Sequence, residues 1–157
     1  MAADIRPARA GDVDALVAIE NAAFSADRIS RQSFRRLVAS RSAMVLVAWG
    51  DAQIVGYCIV LFRAGSRTAR LYSIAAAPNS GIGRQLLGAA ESRLAERGSG
   101  VLRLEVRDDN HRAISLYERN GYRPIGRIAG YYADGMTARR YQKMLAPPPA
   151  AAGTPQP

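Results

Sequence analysis

The chain has 157 residues, of which 48% are hydrophobic and 22% charged, the proportions of a single globular domain with one core. No apolar run approaches the ~20 residues of a membrane helix, the first residues lack the basic start and apolar stretch of a secretory signal, and one cysteine with one histidine makes neither an internal disulfide nor a metal cluster. The net charge of +9 is almost wholly arginine, spread from Arg6 to Arg140 with no run longer than two, so it lacks the clustered stripe of a nucleic-acid surface and suits acidic partners such as cofactor phosphates.

Residues 5–8 can form only a short edge strand, because Pro7 removes a ladder donor. A helix is predicted from Gly11 or Asp12 to about Phe24, with Val13, Leu16, Val17, Ile19 and Ala23 as its apolar stripe. A second, basic amphipathic helix covers residues 30–39 and buries Phe34, Leu37 and Val38, with Arg31, Arg35 and Arg36 pointing elsewhere. Three strands follow at residues 44–49, 54–62 and 69–76. They are rich in β-branched and aromatic residues and separated by Gly50-Asp51 and Ala64-Gly65-Ser66, the signals of an antiparallel meander. Cys58 lies inside the second and reads as a small core residue.

The pattern then changes. Pro78-Asn79-Ser80-Gly81 breaks the strand, and residues 82–96 read as a helix ended by Gly98 and Gly100. Gly88 inside it costs about 1 kcal/mol against alanine, which close packing against the sheet or a ligand would explain, as would chance. Residues 101–106 alternate as a strand. Asn110 caps a further helix, which Gly121 closes at C′. Residues 122–128 and 139–145 are the last two strands. The expected architecture is α+β, one domain over residues 1–146. Residues 147–157, uncharged and made of Pro, Ala, Gly, Thr and Gln, are expected to be a disordered tail.

The loop Ser80-Gly81-Ile82-Gly83-Arg84 carries chemical meaning. The first turn of a helix leaves N–H groups without partners, and the helix dipole adds partial positive charge there. Glycines at 81 and 83 let an anion approach that backbone, and Arg84 adds a full charge. Gly-X-Gly before a helix is equally a tight turn. It is no Walker loop, since no Lys-Ser or Lys-Thr follows, and no dinucleotide fingerprint, since the third glycine is missing.

A second constellation decides between these readings. Leu104-Glu105-Val106-Arg107 is followed by Asn110, then Ala113-Ile114-Ser115-Leu116-Tyr117-Glu118, then Gly121-Tyr122. With Ser73-Ile74-Ala75 before the glycine loop, this resembles the GNAT superfamily of acetyl-CoA-dependent N-acetyltransferases, over nearly all of residues 5–145. It is most similar to the bacterial type that acetylates the N-terminal alanine of a ribosomal protein. The resemblance implies a mixed, mostly antiparallel sheet of about seven strands flanked by about four helices. It implies acetyl transfer from acetyl-CoA to a primary amine through a ternary complex, with no metal. The loop departs from the family pattern: where an Arg or Gln precedes the first glycine by three, this chain has Pro78. Matching Pro78 to the proline that ends the family's strand removes about three loop residues instead, so the cradle is short either way.

The resemblance assigns roles residue by residue, each beside a plainer alternative. Backbone groups of Ile74, Ala75 and Ala76 would meet the pantetheine arm, and Ser80, Gly81, Ile82, Gly83 and Arg84 the pyrophosphate. Tyr117 would protonate the departing thiolate, a role that suits a phenol; otherwise it is a core aromatic one turn after Ile114. Glu105 would be the general base, or else the partner of Arg103 or Arg107 in a sheet-face ion pair. Asn110 would contact the cofactor as well as cap its helix, while His111 needs no role. Tyr131 and Tyr132 would line the acceptor site, or simply pack on a hairpin rim. A protein N-terminus or lysine is the expected acceptor, and a small-molecule amine is the next. A non-catalytic acyl-CoA-sensing or RNA-binding module on the same fold is the competing class. The expected location is the cytoplasm, as a monomer or homodimer.

Overall fold

The computed structural model describes residues 2–147; the predicted tail falls almost entirely on residues 148–157, outside the described residues. Seven strands form one sheet: β1 (Asp4–Pro7), β2 (Ala43–Gly50), β3 (Gln53–Leu61), β4 (Thr68–Ala76), β5 (Val101–Arg107), β6 (Arg123–Ile128) and β7 (Ala138–Met144). Their order is β1-β2-β3-β4-β5-β7-β6. Every pairing is antiparallel except β4 with β5. The helices are α1 (Val13–Ala23), α2 (Arg31–Ala39), α3 (Ile82–Glu96) and α4 (His111–Arg119). The predicted α+β class, the meander and the edge position of the Pro7 strand all match this arrangement.

Two cores lie on opposite faces of the sheet. Alternation in β2 and β3 sends Leu46, Ala48, Cys58 and Val60 to the α3–α4 side, and Val45, Val47, Tyr57 and Ile59 to the α1–α2 side. Cys58 is fully buried, and burial pushes its thiol up to about 12. It is inert packing.

The helix ends are set locally. The first predicted helix begins with a 3₁₀ turn, Ala10–Asp12, and becomes α-helical only at Val13. Asp12 holds that turn by accepting from the Arg9 amide at 2.8 Å and from the Arg6 guanidinium at 2.7 and 3.0 Å. Ser30 and Asn110 cap α2 and α4 by accepting from the amides of Ser33 and Ala113, each worth about 1 kcal/mol. Gly98 and Gly121, with φ of 91° and 90°, close α3 and α4. At each end the next residue's amide returns to a carbonyl in the last turn, Ser99 to Leu94 and Tyr122 to Tyr117, which is the Schellman pattern.

A row of small residues, Ala48, Gly56 and Ala76, runs across β2, β3 and β4. It is a flat pad for the start of α3. A Cβ at Gly56 would come within 2.9 Å of Ile82 Cγ2 and 3.0 Å of the Ala75 carbonyl. The pad therefore fixes how close the glycine loop sits to the sheet. Gly88 has no such reason: it is exposed, and an added Cβ meets nothing within 4 Å. The close packing expected there is absent. Gly88→Ala should stabilise the fold by about 1 kcal/mol, raising the thermal midpoint by roughly 2–4 °C, as calorimetry would measure; a lower midpoint would mean that the position carries a contact that the free protein does not display.

Candidate active site

The site begins with a break in the sheet. β4 and β5 pair in parallel from Thr68↔Val101 to Leu71↔Leu104 and no further, although β4 runs on to Ala76 and β5 to Arg107. On its other side β4 sets Leu71 opposite Val60 and Ser73 opposite Ile59, so Tyr72 is an extra, bulged residue. A bulge bends its strand and increases the twist, and here it does so where the pairing with β5 stops. It also shifts the side-chain phase. Ala69 and Leu71 face the α3–α4 core before the bulge, and Ile74 and Ala76 face it after. Beyond Tyr72 no described strand pairs with the β5-facing edge of β4. That edge offers backbone donors and acceptors to an extended ligand.

The gap opens into a cleft of about 530 Å³, lined by Ile74, Glu105, Asn110, Tyr117, Tyr131 and Tyr132 among others. Six of the candidate residues are thus brought together. Ala75, Ala76 and the glycine loop do not line it. Ala75 faces the α1–α2 core, and Ile82 is buried on the small-residue pad, so both have only backbone to offer.

Tyr117 is buried on α4, edge-on to Tyr122 with ring centroids 5.8 Å apart. Among the described residues none hydrogen-bonds its hydroxyl, which belongs to a side chain lining the cleft. Burial raises its pKa well above the usual phenol value, so the group is a proton donor at neutral pH. Glu105 projects from the opposite wall, its carboxylate only 12% exposed. Its partner is neither Arg103 nor Arg107, as the sequence had suggested. Both carboxylate oxygens lie 3.3 Å from Nε of Arg70 on β4. The parallel register sets Arg70 level with Arg103 on the same face, and Arg103 and Arg107 are engaged by Gln142 and by Asp109 and Asp134.

Arg70 also donates from Nη2 to the Tyr131 hydroxyl at 2.8 Å. Tyr131 packs edge-on against Tyr132 at 5.0 Å, and Arg107 lies 5.0 Å above the Tyr132 ring while pairing with Asp134 at 2.6 Å. The β6–β7 hairpin is thus tied over the cleft from β4 and β5. Burial pushes the Tyr132 phenol up to about 12.

Besides Arg70, a buried carboxylate at the cleft was not among the residues expected from the sequence. Glu20 of α1 is 2% exposed and lines the same cleft. It accepts from the Tyr57 hydroxyl and, at 2.7 Å, from the Ile29 amide; Tyr57 also bonds Ser73 at 3.1 Å. Burial, with Glu20 alongside, raises the Tyr57 pKa. The carboxylate fixes the α1–α2 loop to the sheet beside the break in β4. Its signal was present: Glu20 lies four residues after Leu16, on the apolar stripe of its helix.

The link from β4 to α3 is residues 77–81. Gly81 has φ 77° and Asn79 φ 58°, conformations that favour Gly and Asn. Ser80 donates to the Ala77 carbonyl at 2.7 Å and accepts from the Ile82 amide at 3.3 Å. One amide of the expected cradle is therefore already engaged, leaving those of Gly81, Gly83 and Arg84. A Cβ at Gly83 would lie 3.3 Å from Leu116 Cδ2, so close packing of α3 on α4 is sufficient reason for that glycine. Arg84 is exposed on the same turn.

Among the described strands the sheet splays at its one parallel pair, which leaves an unpaired strand edge, a helix N-terminus, an acid and a phenol around one gap. Residues 13–122 match the acetyltransferase (GNAT) family. The chain is 30% identical to a putative ribosomal protein bS18-alanine N-acetyltransferase of Bacillus subtilis, over 84% of this chain and 88% of that one. The crystal structure of the ribosomal-protein-S18-alanine N-acetyltransferase from Escherichia coli superposes with a TM-score of 0.82 at 25% identity, covering 99% of this chain and 100% of that one. The fold is shared with the PaiA N-acetyltransferase of Thermoplasma acidophilum, solved with coenzyme A, at a TM-score of 0.72 and 18% identity over 89% of this chain and 98% of that one. The chain belongs to the acetyltransferase (GNAT) family and is an acetyl-CoA-dependent N-acetyltransferase.

Arg84→Glu should weaken acetyl-CoA binding roughly tenfold by titration calorimetry, since it exchanges attraction for repulsion at an exposed site. A charge change at Arg84 leaves the contact of Gly83 with Leu116 untouched. Undiminished affinity would move the pyrophosphate off this loop.

Proposed function

We propose that the protein acetylates the α-amino group of a protein N-terminus, with Glu105 as general base and Tyr117 as general acid. The observation that carries this reading is that a carboxylate and an unpartnered phenol line one cleft where β4 and β5 part. The relatives named for alanine N-acetylation favour an N-terminal amine over a lysine.

The chemistry follows from the groups present. An amine attacks a thioester only when neutral, so the acceptor must lose a proton; Glu105 receives it. Nitrogen bonds the acetyl carbon and the carbon–sulfur bond breaks. Tyr117 protonates the leaving sulfur to a thiol, the second proton of the attacking nitrogen restores the phenol as the amide forms, and Glu105 gives its proton to solvent. Backbone N–H groups on the unpaired edge of β4 are the donors suited to the carbonyl oxygen as charge develops on it. The short approach through Pro78 leaves Gly81, Gly83, Arg84 and the dipole of α3 to hold the pyrophosphate.

Tyr117→Phe removes a hydroxyl that bonds no described residue, so it should leave the fold intact and lower kcat by about 100-fold or more, with acetyl-CoA affinity little changed. Glu105→Gln should lose activity near neutrality and regain it as pH rises towards the amine's own pKa of about 8, because solvent then deprotonates the acceptor. Both are read by thiol release on alanine-starting peptides. Wild-type rates in both variants would remove these residues from the mechanism, and acetyl-CoA binding without turnover on any amine would make the protein a sensor.

A further inference from the structure

The open face of the C-terminal half of the sheet carries a charge pattern that acetyl transfer itself does not require. α1 and α2 pack on β2, β3 and β4, so no described helix from that pair covers the same face of β5, β7 and β6. Register partners share a face, and the pairing places Arg70, Arg103, Gln142 and Arg123 in one row across β4, β5, β7 and β6. Arg140, opposite Glu105, stands in the next row. Strands lie about 4.8 Å apart, so the row from Arg70 to Arg123 is roughly 14 Å long, about four residues of extended chain.

Acids elsewhere in this half of the sheet are already taken. Asp134 and Asp109 hold Arg107, and Asp108 holds both Arg127 and Arg139. Glu105 holds Arg70. Among the described residues no acid pairs with Arg103, Arg123 or Arg140. Arg103 reaches only the neutral amide of Gln142, and Nε of Arg140 is buried without a hydrogen-bond partner. Arg103 and Arg123 are exposed. With Arg70 already neutralised by Glu105, Arg103, Arg123 and Arg140 are the charges here without an acid, and an anionic partner would supply one.

The row starts at the acceptor end of the cleft, which both Arg70 and Glu105 line. An acceptor arriving as an ammonium competes with Arg70 for Glu105. Arg70 would then be released to a carboxylate close behind that ammonium. We propose that this face receives an acidic stretch immediately following the acetylated amine, so that the preferred acceptors are polypeptides with Asp or Glu in their first few residues. This rests on the protein N-terminus reading above and adds to it the charge of the substrate. A second copy of the chain does not fit, since two such faces repel.

The test is a panel of alanine-starting peptides that differ only in having Glu, Gln or Lys at the second to fifth residues, assayed by thiol release. The expected order of kcat/KM is Glu, then Gln, then Lys, with about tenfold between the first two. The difference should lie in KM and shrink as salt rises beyond about 0.15 M. In Arg103→Glu/Arg123→Glu the Glu-to-Gln ratio should fall below one and the Lys peptide should gain; Arg103→Gln/Arg123→Gln should bring the ratio to about one without reversing it. Equal rates across the panel, or a preference untouched by either double variant, would overturn the proposal. Binding of single-stranded RNA that depends on Arg103 and Arg123, with no peptide preference, would assign the face to nucleic acid instead. If small amines are acetylated and no peptide is, the N-terminus reading itself fails and this proposal with it.

Discussion

β4 and β5 hold each other through four register pairs before Tyr72 breaks the phase of β4, and the remaining parts of the site take their positions from that break. Because this is the only parallel pair in the described sheet, its two strands must be joined by a crossover. The crossover is α3, so one connection supplies both the gap and the helix N-terminus beyond it. The strands separate at their C-terminal ends, where ligands bind in parallel sheets. A fully paired sheet would bury the edge of β4, leaving an extended ligand no backbone to bond. Glu20, Tyr57 and Ser73 brace the departing strand from the α1–α2 side. Arg70 spans the break to Glu105. The cleft is a designed discontinuity with props on both banks.

Charge is distributed with the same economy. Most arginines near the site have assigned acids, and those pairs are structural: Asp108 joins β6 and β7 to the β5–α4 turn, and Asp134 with Arg107 seats the Tyr131–Tyr132 hairpin. Exposed pairs of this kind are each worth little in stability. Their value is in direction, since a hairpin tied at two points presents its tyrosines at a fixed height. Against that background Arg103, Arg123 and Arg140, which no described acid meets, stand apart on the open sheet face.

Elements were readable in the sequence because each is locally consistent: the periodicities, Asn110, Gly98 and Gly121 all act within a few residues. The motif from Asn110 to Tyr122 similarly placed Tyr117, whose helix is fixed by its own cap and Schellman closure. What stayed hidden depends on pairing between distant segments. No single strand announces that Tyr72 is bulged, because the bulge exists only relative to β3. Arg70 became the partner of Glu105 through parallel register, whereas proximity in sequence favoured Arg103 and Arg107. Glu20 reads as an ordinary helix acid until Tyr57 and Ile29 are brought to it. Gly83 and Gly88 fell the same way: packing on Leu116 accounts for one, and nothing in the free protein accounts for the other.

Ser80 sets the shape of the glycine loop from both sides. With Ile82 N–H engaged by Ser80, the loop has fewer amides for a pyrophosphate than its length of glycine suggests. Position compensates in part for number. Ile82 is seated on Ala48, Gly56 and Ala76, and a Cβ at Gly56 would leave no room for it, so α3 begins at a fixed distance from the sheet. The Gly83 and Arg84 amides are therefore held rigidly, and rigid donors lose little freedom on binding an anion. Arg84 adds the charge that the loop's own proline position does not provide. An acetyl-CoA bound as proposed would be held mainly along the unpaired edge of β4, with the loop fixing one end. The break at Tyr72 is then the source of binding as well as of catalytic geometry.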